Sequence, residues 1–418
     1  MANTTLTVLD MVARESLRIA HEKATFISTV NRSYDDQYKT KGWKTGSALR
    51  VANPNQYTRR QGSRVMDVQD QVETTQTITM ATQDGVDMRF NSAELTLNTN
   101  SPSEVDAFSK RYIEPAMAVL ISGIESDFIT QATKDTYNIA GTAGTVVGAS
   151  DITALFNARA VLNRFLAPKD NDRAAQIDSV TMASIVNKNV ALFHPNNQVE
   201  KAFAEGFYGR VAGCDFFENE RTYVQACGSD HTTVTTNAAA GATDGGTTID
   251  ITGGGGVLAV GDIFTVAGVY SCHPETKVST GVLANFVVTA GTNTALTVSP
   301  PTYFGTAGGN YVARQNVCTS TSAKCTATSF NSQTVTVVGA DSAVLRQNLM
   351  YHKDAFTFVT ADLPLMDASE KCVRRVQDGL SVRVWMDSDI RNDELLMRLD
   401  ILYGFKTLRP EWSCRITN

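Results

Sequence analysis

Few stretches of this chain hold residues spaced for chemistry. The run Gly253–Gly256, followed by VLAVGD, has the composition of a phosphate-cradling loop. A Walker loop requires GxxxxGK[ST] opening a helix, so that a lysine and the helix N-terminus both meet the phosphate. No lysine follows here and the neighbours read as strands, so the run is a turn in a β region. His273, beside Cys272 and Glu275, has the donor types of a metal or thiol site. A zinc centre needs four ligands at short intervals. The other histidines (21, 194, 231, 352) and cysteines (214, 227, 318, 325, 372, 414) are scattered, with no CxxC. Asp387-Ser388-Asp389 and Asp170-Asn171-Asp172 begin like calcium loops but lack the glycine and closing glutamate. Neither GxSxG, HExxH nor a kinase signature occurs. The expectation is a protein without catalytic residues, cofactor or metal.

What the chain must then position is surface. Its 418 residues, 42% of them hydrophobic, allow two or three domains with a substantial core. A formal net charge of −6, with no run of like charges, excludes the basic stripe that nucleic-acid binding needs. It does not exclude a wall around DNA, which must not grip what it encloses. An odd number of widely spaced cysteines reads as reduced thiols. The N-terminus carries acids where a signal peptide carries bases, and no run approaches ~18 apolar residues. A soluble chain made in the cytoplasm, with no membrane partner, is expected.

Residues 5–31 have the helical period, with Leu6, Leu9, Val12, Leu17, Ile19 and Phe26 between charges. Such a stretch outside a compact unit should pack on something else. A polar connector (32–45) follows, and from 46 to 97 the period becomes that of strands. The Asp84-Gly85 pair predicts a two-residue hairpin turn. Both faces of this ribbon carry charge (Arg59, Arg60, Arg64, Asp67, Asp70, Glu73), so it should lie across a partner. Ser101 and Glu104 form a capping box with Pro102 at the first helical position, predicting a long helix over 101–134 that Pro115 kinks or divides. Helices are expected at 151–166 and 198–208, with strand then helix at 177–193. Between 225 and 339 only eight charged residues occur in some 115 positions, and alternating runs such as TTIDIT, DIFTVAGV and NFVVTA mark an inserted all-β domain. NYVARQNV reads as a further strand there. QTVTVVG, DAFTFVTADLP, SVRVWMDS and LLMRLDILYGFKTLRPE then resume the earlier composition. The class is α+β.

Four segments in this order resemble a known family. ELTLNTNSPSEVDAFSKRYIEPAMAVLISGIESDF (94–128), RVAGCDFFEN (210–219), GVLAVGDIFTVAGVYSCHPETKVSTGVLANFVV (256–288) and DILYGFKTLRPE (400–411) are similar to tailed-phage coat proteins with the Hong Kong phage capsid fold. More narrowly, they resemble the coat proteins of the Salmonella short-tailed phages, which carry an inserted telokin-like I domain. The resemblance implies an N-terminal arm (1–45) reaching a neighbour and an extended E-loop (46–97) overlapping the next subunit. It implies a P-domain with the spine helix (98–150), an A-domain (151–224 and 340–390), the I domain (225–339) and C-terminal strands returning to the P-domain (391–418). It further implies a major capsid protein whose hexamers and pentamers form an icosahedral shell in the virion, assembled in the bacterial cytoplasm. Expected partners are a scaffolding protein, a portal protein and enclosed double-stranded DNA held without sequence specificity. Inter-subunit contacts are expected at Arg59, Arg60, Arg64, Asp67, Asp70 and Glu73, and at Asp244 in the Gly-rich loop near 238–256.

Two other classes fit the sequence less well. An exported β-rich adhesin or surface-layer protein would suit the Thr/Gly-rich region but not the N-terminus. An enzyme with an inserted module would need convergent polar residues that do not emerge. The charged ribbon makes a testable claim: replacing Arg59, Arg60 and Arg64 together with Glu should leave a folded subunit unable to close shells, since charges in an interface set register. Normal particles in electron micrographs of that variant would refute it.

Overall fold

A computed structural model describes the chain except residues 1–7, 35–47, 61, 63, 67, 70–72, 92–108, 149–151, 190–209, 212, 230–233, 238–240, 254–257, 293, 305–311, 320–329, 366–371 and 378–379. The chain divides into two compact units. The first gathers Met1–Val51, Thr77–Phe128 and Phe356–Lys406; the second Ala52–Gln76, Ile129–Ala355 and Thr407–Asn418. Helices and sheets mix in each, as the α+β reading expects.

In the first unit, helix Val8–Lys23 buries Val12, Leu17 and Ile19 and lies against strands Cys372–Gln377 and Leu380–Asp389. This stretch packs on strands of its own subunit. The next short helix, Phe26–Thr29, is met at its start by the buried Glu125. Its Oε1 accepts from the Phe26 amide and, at 3.0 Å, from the Thr25 hydroxyl. Phe26 packs on Phe128, ring centroids 4.7 Å apart, and Phe128 stacks on Phe405 at 4.9 Å.

Glu125 and Phe128 belong to the helix that the apolar period predicts. A π-helical turn, Ser109–Ile113, leads into α-helix Glu114–Asp135. Pro115 sits in the first α-turn, where its missing N–H has no helical acceptor to lose. The run is thus divided at Pro115. Ser101, Pro102 and Glu104 lie outside the described residues. Its 22 α-helical residues span about 33 Å.

The sheet of this unit has the order Phe356–Ala361, Glu394–Thr407, Leu380–Asp389, Cys372–Gln377, and Thr82–Asn91 also pairs with Glu394–Thr407. The Asp84-Gly85 pair is not a turn. It lies inside strand Thr82–Asn91, Gly85 opposite Asp400 and Asp84 opposite Ile401. A Cβ on Gly85 would stand 2.6 Å from both Asp400 Oδ1 and the Leu399 carbonyl oxygen. Glycine is there for the close approach of a neighbouring strand. Asp400 is wholly buried; its Oδ2 accepts from Arg383 Nη2 at 2.5 Å and its Oδ1 from Arg398 Nε at 2.7 Å. Arg383 is itself buried and directly opposite Asp400 in register.

The second unit holds a sheet ordered Ile139–Ala140, Ser413–Thr417, Val344–His352, Arg173–Ile177, Cys214–Glu218, Arg210–Val211, with Val224–Ala226 also on Val344–His352. Helices Thr153–Arg164 and Ser179–Asn189 cover it through Leu155, Ala158, Leu162, Met182 and Ile185. The helix expected at 198–208 lies outside the described residues. A second, seven-stranded sheet runs Val317–Cys318, Ile263–Cys272, Ser279–Gly291, Ala295–Thr302, Gly246–Thr252, Thr235–Thr236, with Val335–Val337 on Ile263–Cys272. Two readings are corrected here. Val312–Arg314 in NYVARQNV is a 3-10 turn, and Val335–Val337 of QTVTVVG belongs to this sheet and does not follow it. The reduced-thiol reading also fails at Cys318, which is disulfide-bonded.

The seven-stranded sheet joins the rest of its unit through buried polar groups. Asp262, in the turn before Ile263, accepts from Gln225 Nε2 (3.0 Å) and from the amides of Gly228 (3.0 Å) and Ala259 (2.8 Å). Arg415, fully buried on the last strand, donates to the carbonyls of Gly261 (2.7 Å) and Lys134 (3.0 Å). Lys134 is in the last turn of the long helix, whose carbonyls lack helical donors, so Arg415 caps it. Burial pulls the guanidinium down to about 10, still protonated at neutral pH.

The Asp400 cluster gives the first stability test. Asp400→Asn leaves Arg383 buried beside a neutral amide and should destabilise the subunit by about 3–5 kcal/mol. Gly85→Ala should force the two strands apart and destabilise as well. Urea unfolding of the full chain checks both, and losses below about 1 kcal/mol would reject the cluster as a keystone.

Candidate functional site

The longest excursion among the described residues is the loop between strands Ala48–Ala52 and Thr75–Thr79, which pair as a two-stranded sheet. Regular pairing stops where Pro54 removes an N–H, though Asn53 still donates to the Thr74 carbonyl at 2.8 Å. Further out, side chains replace the ladder. The Gln69 carboxamide accepts from the Thr58 amide at 2.8 Å and donates to the Thr58 carbonyl at 2.6 Å, as a strand neighbour would. Near the tip, Arg60 Nη1 donates to the carbonyls of Arg64 (3.2 Å) and Val65 (2.6 Å). Gly62, at φ +76°, takes the turn itself.

Arg59, Arg60, Arg64 and Glu73 are all exposed, while Asp67 and Asp70 lie outside the described residues. Arg60 has a second role that the sequence did not suggest, since it closes the tip. The larger omission concerns apolar residues. Val65, Met66 and Val68 are 76%, 78% and 78% exposed, and Tyr57 is 55% exposed. A monomer has no use for four large apolar side chains at the end of a loop. The signal was present in RVMDV, three apolar residues among charges in a segment with no covering element, but the charges drew the reading.

Asp244 behaves differently. It is half-buried, and its Oδ1 accepts from the Phe304 amide at 2.8 Å within its own sheet region. Around it, Gly245 N donates to the Thr302 carbonyl at 2.7 Å, and a Cβ on Gly241 would collide with the Phe330 carbonyl. This part of the Gly-rich loop is built into its own subunit. The imitators of chemistry are also accounted for. His273 Nδ1 accepts from the amides of Glu275 and Thr276, both at 3.3 Å, closing a turn. Asp170 bonds the Asp172 amide and the His352 ring. Among the described residues, no group of three or more His, Cys, Asp or Glu could hold a metal, and no helix is long and apolar enough to cross a membrane.

An exposed apolar tip of this kind is the geometry of a surface that docks on a partner. The family model of the P22 coat protein (gene protein 5) matches residues 59–414. The chain belongs to the P22 coat protein family. It is a major capsid protein, a component of the virion whose copies form the phage head shell. No curated protein matches it. Among solved structures, it is similar to a chain of Mycobacterium phage Che8, 9% identical, covering 94% of this chain and 90% of that one at a TM-score of 0.50. The capsid of cyanophage P-SCSP1u is 12% identical, with coverage of 94% and 89% and a TM-score of 0.45. The mature capsid of bacteriophage PhiM1 is 12% identical, with coverage of 89% and 82% and a TM-score of 0.43. The Che8 likeness shows a shared fold, beside the family match.

If Gln69 holds the two legs of the loop together, Gln69→Ala should raise the exchange rate of the Thr58 amide by about 3–10-fold, the effect of one or two lost hydrogen bonds. Unchanged exchange would show that the legs are held otherwise.

Proposed function

We propose that the loop 53–74 is the coat protein's docking element, its apolar tip seated on another copy in the same shell and its arginines setting register at the rim. The observation that carries this is the exposure of Val65, Met66 and Val68 together at the end of a loop whose own hydrogen bonds hold it out. Apolar anchors ringed by charge are the usual anatomy of a specific interface. The family match supports a shell of hexamers and pentamers, and the acidic net charge suits a wall that encloses double-stranded DNA without binding its sequence. A scaffolding protein and a portal protein are the further partners of this reading. The protein's role is structural and needs no catalysis.

The Met66→Asp, Val68→Asp double variant tests the docking element. Surface substitutions away from the core shift stability by about 0.5 kcal/mol or less. The variant should therefore keep the circular dichroism and urea midpoint of the wild type yet sediment as unassembled subunits. Shells of normal size and yield would overturn the proposal. Should the double variant misfold, Met66→Gln alone, which keeps volume and removes the apolar character, reads the same loss in the assembly rate.

A further inference from the structure

Thr82–Asn91 is a ten-residue strand, about twice the common strand length. One edge pairs with Glu394–Thr407, from Asn91 opposite Glu394 to Thr82 opposite Tyr403, without a register shift. Among the described residues, no strand pairs with the other edge. The strand carries no proline, lysine or bulge, three of the devices that keep an open edge from taking up a further strand.

Its side chains alternate. Val86 and Met88 are half-buried, and Phe90 is buried against Tyr112, ring centroids 5.3 Å apart. Gly85, Asp87 and Arg89 face solvent. The Asp87 and Arg89 side chains stay 76% and 70% exposed, although each has an ion partner on Glu394–Thr407: Arg398 at 3.6 Å and Glu394 at 3.3 Å. Exposed pairs of this kind contribute little to folding, which leaves both charges open to a further partner.

An acid and a base two positions apart on one face make an edge self-complementary. Where two copies of a strand pair antiparallel and continue one sheet, opposite residues share a face, so the two-fold axis must pass through a residue. An axis at Met88 sets Asp87 of each copy opposite Arg89 of the other, and Val86 opposite Phe90. An axis at Asp87 or at Arg89 sets like charge on like charge, and one at Val86 leaves Asp87 opposite Gly85.

We propose that Thr82–Asn91 is a contact between copies, in which the open edges of two coat subunits pair antiparallel about a two-fold axis at Met88. Backbone hydrogen bonds supply the attraction, and the Asp87–Arg89 pairs select the register. The proposal rests on copies of this chain forming the head shell. It uses no residue of the loop 53–74, so the two contacts fail separately.

Charge reversal in the full chain tests it. Asp87→Arg and Arg89→Asp, each alone, set like charges opposite one another at both contacts of the two-fold and should cut the yield of sedimenting shells by about tenfold or more. The double variant restores opposite charges between copies and should recover a yield within about threefold of the wild type. Inside one subunit it does the reverse, placing the introduced arginine beside Arg398 and the introduced aspartate beside Glu394. A contact confined to the subunit therefore makes the double variant worse than either single one. Normal shells from a single variant, or a double variant no better than the singles, would overturn the proposal. If the variants do not fold, hydrogen exchange of the wild type decides. The amides of Thr82–Asn91 that point away from Glu394–Thr407 should exchange about tenfold or more slowly in shells than in unassembled subunits. Equal rates in the two states have the same adverse meaning.

Discussion

A carboxylate with no access to water governs the sheet of the first unit. Arg383 and Arg398 each supply a donor to one oxygen of Asp400, an arrangement that fixes three groups on two strands at once. The contact raises the pKa of Arg398 through its bond to Asp400. It also dictates the neighbour on the other side, since no residue with a Cβ fits opposite Asp400, and Gly85 fills that place. Register along Thr82–Asn91 is thereby set by charge and space together. A slip of one residue would put Asp84 or Val86 against the carboxylate and turn each side chain to the wrong face. The strand that continues the chain from the docking loop is held in one register only.

The second unit answers the same problem with a cation. Arg415 is buried on the last strand and donates to two carbonyls that would otherwise be poorly served: one in the last turn of the long helix and one in the turn opening the seven-stranded sheet. Asp262, one residue beyond that turn, ties back to Gln225 and Gly228 on the side where the chain enters the same sheet. The seven-stranded sheet is therefore tied to its unit both where Gln225 and Gly228 lead toward it and at the turn before Ile263.

Much of this was legible in the chain. The apolar period gave the long helix its buried face, Ile113, Met117, Ile121, Ile124 and Phe128, because a 3.6-residue repeat leaves little freedom about which side faces the core. The alternating runs after residue 225 marked the strands of the seven-stranded sheet for a similar reason. What stayed hidden depended on pairs remote in sequence. Asp84-Gly85 carries the strongest local hairpin signal, yet Asp400, over three hundred positions away, decides its conformation. Helix 8–23 was legible as amphipathic, but its partner strands at 372–389 have no local mark. At the docking loop the charges were found and the apolar tip was not, since three apolar residues in a polar ribbon look unremarkable until it is known that no element covers them.

The division of labour between tip and rim follows from what a shell requires. A closed shell repeats one contact many times, so each contact must be weak enough to be corrected during growth and is multiplied by symmetry once the shell closes. Three side chains of the size of Val65, Met66 and Val68, if fully covered, contribute about 1.5–3 kcal/mol apiece before the entropic cost of ordering them. That is too little to hold two subunits alone and enough to hold a lattice. Charges such as Arg59 and Arg64, exposed and screened by salt, add little to that sum. In the proposed docking their effect is on which surface the tip can enter, because a misplaced arginine against a like charge is a penalty that every wrong docking would repeat.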